Sequence, residues 1–140
     1  MKKNRAFTAI VFVCLLGIQV MAYTPAVIGG VRDGTALGLV FESGSRVNDL
    51  NIRFGLEATT SNTPGIMFVG GKWFLRDLNN TKLPMFLNLG IVAYLGNEAN
   101  VGPYVSIMLE RFLDMPDLFL EVGIDIVTSG KLQAQVGYFF

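Results

Sequence analysis

The chain has 140 residues, with 51% apolar side chains, eleven Lys and Arg against eleven Asp and Glu, one cysteine and no histidine. A formal charge of zero with no basic stripe offers nucleic acid nothing to hold. One cysteine cannot build a disulfide scaffold, and no metal-ligand spacing, phosphate loop or glycine-rich nucleotide motif occurs.

Residues 1–22 begin with Lys2, Lys3 and Arg5, continue as an apolar run from Ala6 to Ile18, and leave through Val20-Met21-Ala22. That order predicts a cleavable signal peptide, since a run of about 13 apolar residues falls short of the roughly 20 that a spanning helix needs. Cys14 lies inside the apolar run behind Phe12-Val13, so no lipid anchor is expected. Residues 23–140 then form one domain without cysteine, carrying eight basic and eleven acidic residues for a net charge of −3.

From Ala26 onward, apolar runs alternate with clusters of Gly, Asn, Asp, Ser, Thr and Pro. They predict strands at 26–32, 35–42, 50–58, 65–76, 84–95, 102–112, 117–127 and 131–140, and no helix. Asp33-Gly34 is the weakest boundary, readable as a two-residue hairpin turn or as a bulge in one long strand, which leaves seven or eight strands.

Successive side chains of a strand point to opposite faces, and each run splits cleanly. Leu118, Leu120, Val122, Ile124 and Ile126 oppose Phe119, Glu121, Gly123 and Asp125; Leu132, Ala134, Val136, Tyr138 and Phe140 oppose Lys131, Gln133, Gln135, Gly137 and Phe139. Ile52, Phe54 and Leu56 oppose Asn51, Arg53, Gly55 and Glu57, and Leu87, Leu89, Ile91, Ala93 and Leu95 oppose Phe86, Asn88, Gly90, Val92 and Tyr94. The same division puts Arg32, Glu42, Lys72, Arg76 and Glu110 on the polar face; Arg111 is the misfit, near a strand end.

Alternation alone does not say which face is inside. The polar face carries Arg32, Arg53, Lys72, Arg76 and Lys131 against Glu42, Glu57, Glu110, Glu121 and Asp125, five of each sign, which suits pairing in a confined lumen. It also carries glycines that a narrow interior can use, while the other face is almost wholly apolar, as a lipid-facing band requires. Unpaired strand edges are costly in hydrocarbon, so the fold expected is a transmembrane antiparallel up-and-down β-barrel of about eight strands.

The last strand, Val136-Gly137-Tyr138-Phe139-Phe140, resembles the C-terminal assembly signal of bacterial outer-membrane barrels, with Tyr138 and Phe140 on the outward face. Further stretches are Gly29-Gly30-Val31-Arg32 leading to Thr35-Ala36-Leu37-Gly38-Leu39, Leu83-Pro84-Met85-Phe86-Leu87-Asn88-Leu89-Gly90, Gly102-Pro103-Tyr104-Val105 and Pro116-Asp117-Leu118-Phe119-Leu120-Glu121-Val122. In order and spacing they resemble a family of small, functionally unassigned outer-membrane proteins with eight-stranded barrels similar to the OmpA, OmpX and OmpW types. The resemblance implies an outer-membrane location, lipid contact and insertion by the barrel-assembly machinery, and brings no catalytic residues.

For function, the absence of histidine argues against the barrel enzymes that use it as a base. Eight strands leave an interior filled by side chains, which argues against an open pore, and the turns at 33–34, 59–64, 96–101 and 127–130 are short for an adhesin. The expectation is a monomeric integral barrel with a structural or interaction role and no cofactor. Passage of small hydrophobic compounds, as in OmpW-like barrels, is the alternative, and a surface adhesin or host-factor binder is a further one. Trp73 and Phe74 are expected in an interfacial aromatic belt.

Overall fold

The computed structural model describes residues 23–43, 50–62, 64–78, 82–96 and 99–140. The signal-peptide segment 1–22 and Cys14 lie outside them. Eight strands follow in chain order: β1 (Tyr23–Arg32), β2 (Thr35–Ser43), β3 (Leu50–Thr59), β4 (Gly65–Asp77), β5 (Pro84–Leu95), β6 (Asn100–Glu110), β7 (Leu118–Val127) and β8 (Ser129–Phe139). Each pairs antiparallel with the next, and β8 returns to β1 to close the barrel. The chain is thus all-β, an up-and-down barrel with no free sheet edge.

Asp33-Gly34 is a turn, which fixes the count at eight. Both residues take positive φ, 53° and 113°, as a two-residue turn matched to the twist of its strands requires. At the seam, Gly30 takes φ 151°, and a Cβ there would lie 2.3 Å from the Ala134 carbonyl oxygen. Only glycine lets β1 approach β8 this closely.

The sixth strand differs from its expected bounds of 102–112. It starts at Asn100 and stops at Glu110, because Arg111, Leu113 and Asp114 have φ of 56°, 55° and 59° and leave the extended region for a 3-10 turn at Phe112–Asp114. Arg111 does not fit the alternation because it is not in a strand; it is exposed. Pro103, which has no N–H to give, sits just past the last β6 to β7 pair, Tyr104 with Asp125.

The ends of the barrel differ. The near end holds the start of β1 and the finish of β8; the far end holds the finish of β1, β3, β5 and β7 and the start of β2, β4, β6 and β8. Inward positions carry a buried cluster including Ile28, Phe68, Tyr104, Met108 and Phe119, and outward positions are exposed and apolar, Leu37 at 64% and Leu132 at 74%. At the near end the outward face turns aromatic. Tyr23 meets Phe54 edge-on at 5.2 Å, Phe41 stacks on Phe54 at 5.2 Å, and Tyr138 lies 6.3 Å from Phe140.

Inward glycines make room for inward rings. A Cβ on Gly137 would lie 2.0 Å from the Phe119 ring, and one on Gly55 2.5 Å from Phe68. Gly137→Ala should therefore overpack the interior and destabilise the barrel by about 1–3 kcal/mol. Gly65→Ala, whose Cβ would meet nothing nearer than 3.4 Å, should be neutral within about 0.5 kcal/mol. Urea unfolding of the refolded barrel in micelles measures both, and adding Phe119→Leu should recover part of the Gly137→Ala loss.

Candidate functional site: the charged interior

Alternation turns the charged residues of seven strands inward, and register then decides which of them meet. Arg53 and Glu42 are direct cross-strand partners, whereas most other pairs reach across the lumen. Near the far end, Arg32 donates through Nε and Nη2 to Asp125 at 2.8 and 2.9 Å, and through Nη1 to Glu57 at 2.6 Å. Its guanidinium lies 4.7 Å from the Phe68 ring centroid. The Tyr94 hydroxyl also donates to Asp125, and Gln135 donates to Glu57 at 2.5 Å.

In the middle, Arg53 donates from Nη1 and Nη2 to the two Glu121 oxygens at 3.1 and 2.9 Å. The strands that carry them, β3 and β7, are four apart in a ring of eight, so this bidentate pair spans the lumen from wall to opposite wall. Ser106 donates to Glu121 at 2.5 Å and Asn88 at 3.3 Å. Arg53 Nε also lies 2.9 Å from Glu42 Oε1; neither atom makes a directed hydrogen bond there, so the contact is electrostatic attraction.

Toward the near end, Lys72 bridges Glu42, at 2.8 Å, and Glu110. At the far rim Lys131 pairs with Asp33 at 2.7 Å. Glu42 joins the middle layer to the lower one, so a chain of charges runs along the interior. Arg32, Arg53, Glu121 and Asp125 are essentially inaccessible to solvent.

Nine of the ten expected network residues therefore lie in the interior and are paired: Arg32, Glu42, Arg53, Glu57, Lys72, Glu110, Glu121, Asp125 and Lys131. Arg76 does not join them. A bulge between Phe74 and Arg76 shifts the β4 to β5 register, so Arg76 pairs with the outward Met85 and is exposed. Phe74 stays on the inward side against Phe86, centroids 5.6 Å apart, while Trp73 faces out among the near-end aromatics.

Asp33, read from sequence only as a turn residue, takes an interior role through Lys131. Among the described residues the ion-paired network thus holds four cations and six carboxylates in place of the expected five of each. Every one of those carboxylates faces a cation. Tyr138 and Phe140 lie on the outside at 40% and 70% exposure.

The fold and its interior define a closed eight-stranded barrel plugged by salt bridges. Searches of protein-family models, curated proteins and solved structures find no match to this chain.

Truncating one partner of a buried ion pair leaves an uncompensated charge. Arg53→Met should destabilise the barrel by about 3–5 kcal/mol, and Arg53→Met with Glu121→Gln should cost clearly less than the two single changes added. Arg76→Met should stay within about 0.5 kcal/mol of the parent. A double-mutant cycle by urea unfolding checks all of these.

Proposed function

We propose that the protein is an integral outer-membrane β-barrel with a structural or interaction role and a lumen closed to solutes, exported by the signal peptide that residues 1–22 resemble. The observation that carries this reading is the outward face. Across all eight strands it bears no charged side chain except Arg76, which follows the bulge at the near end and can reach an interface along its aliphatic stem. An apolar band of this extent would be a liability in water and is the requirement in lipid. The outward aromatics Tyr23, Phe41, Phe54, Trp73 and Tyr138, gathered at one end, suit a membrane interface.

The reading of a closed lumen rests on the Arg53 to Glu121 pair, which a permeating solute would have to break. This supports a closed barrel over passage along its axis. In the same reading, outward Tyr138 and Phe140 are the side chains that the barrel-assembly machinery recognises, and outer-membrane lipids are the immediate partners.

Three measurements test the proposal. Fractionation should recover the chain in the outer membrane with heat-modifiable gel mobility, and recovery in soluble periplasm would overturn it. Planar bilayers holding the refolded barrel should show no steady conductance. Val122→Arg, in the middle of the outward face of β7, should destabilise the inserted barrel by about 2–4 kcal/mol.

A further inference from the structure

The near mouth of the barrel opens into a cavity of about 480 Å³, within the size range of small-ligand sites. We propose that this cavity binds a small organic ammonium ion carrying an aromatic or apolar group. Such a ligand needs anionic groups, ring faces and hydrogen-bond acceptors together, and the mouth supplies all three.

Glu42, Asp77, Glu110 and Asp117 line the cavity against one cation, Lys72. Lys72 is already engaged by Glu42 and Glu110 at the floor, so Asp77 and Asp117 remain without a cation among the described residues. The cavity is net negative, and its uncompensated charge sits at the rim where a ligand enters. The acids are spread around the mouth; among the described residues no three His, Cys, Asp or Glu side chains are placed to hold a metal ion. The geometry therefore suits a cation larger than a bare metal.

Phe74, Phe86, Phe139 and Phe140 supply the apolar walls. The floor shows how they treat an ammonium. Lys72 Nζ lies 4.3 Å from the Phe86 ring centroid and 5.6 Å from that of Phe139, between the Glu42 and Glu110 carboxylates. The protein's own ammonium thus occupies a carboxylate and ring cage, and the rim above repeats its ingredients with Asp77, Asp117, Phe74 and Phe140. Asn51 adds a wall acceptor, its Oδ1 having no hydrogen-bond partner, which favours an ammonium that keeps N–H donors over a quaternary one. The inference stands on the barrel mouth and holds whether or not the barrel spans a membrane.

The test uses the full barrel refolded in micelles, titrated with phenethylammonium and followed by backbone amide NMR. Saturable shifts at Asn51, Phe86 and Phe139 are expected, with none from phenylacetate at equal concentration. The variant Asp77→Asn with Asp117→Asn should bind about fivefold more weakly, the scale of two exposed charge contacts. Phe74→Ala, which removes an exposed ring, should also weaken binding, while Asp114→Asn, in the turn outside the cavity, should not. An equal response to phenylacetate would overturn the proposal. So would shifts confined to outward residues such as Leu39 and Ile91, which report partition into the micelle, or undiminished binding in both the aspartate and Phe74 variants.

Discussion

A ring of antiparallel strands closes only when every strand keeps the same face inward along its length, because a one-residue slip exchanges the two faces. In this barrel the faces differ as far as side-chain chemistry allows. Inside stand Arg32, Arg53, Lys72, Glu57, Glu121 and Asp125; outside stand Leu, Ile, Val and aromatic rings. A slip at any interface would strip a guanidinium of its carboxylates and bury leucines among charges. The paired charges therefore do more to select one register than to add net stability, since a buried ion pair roughly repays its own desolvation. That selection is strongest at Arg53, whose three contacts depend on the registers of β2, β3 and β7 together.

Four cations are too few for six carboxylates, and the interior makes up the difference with neutral donors. Tyr94 gives its hydroxyl to Asp125, Ser106 its hydroxyl and Asn88 its amide to Glu121, and Gln135 its amide to Glu57. Each donor falls on a carboxylate that shares its cation with another. Asp125 and Glu57 share Arg32, and Glu121 shares Arg53 with Glu42. A carboxylate holding half a cation and a hydroxyl or amide is better satisfied than one holding half a cation alone. Glycines complete the arrangement, since Phe119 and Phe68 can lie across the interior only over Gly137 and Gly55.

Much of this was legible in the sequence because period-2 alternation is a local property. It separates the two faces from chain order alone, and nine of the charged residues on the polar face lie paired in the interior. What escaped depends on single departures from regular backbone. One bulge after Phe74 inverts the faces beyond it and sends Arg76 outside, and no residue at that point announces it. The early stop of β6 rests on three left-handed residues, none of them glycine, at Arg111, Leu113 and Asp114. Asp33 reads as a turn residue because it is one, and its bond to Lys131 spans 98 positions. Which charge meets which follows from closure, and so could be inferred only after the strand count was settled.

The difference between the two ends also follows from residue size at inward positions. Toward the far end these are Arg32, Glu57, Tyr94, Gln133 and Gln135, long enough to meet in the middle and fill it. At the near end Thr24 and Asn51 are short, and the bulge in β4 and the turn after β6 interrupt the regular strands there. Lys72 is the last inward side chain long enough to cross, and the interior is open below it. A uniform ring of eight strands thus becomes a plug with a cup beneath it, through a change from long to short side chains along the barrel axis. Because the plug holds the charged floor of the cup in place through Glu42, the shape of the mouth is tied to the same ion pairs that fix the register of the strands.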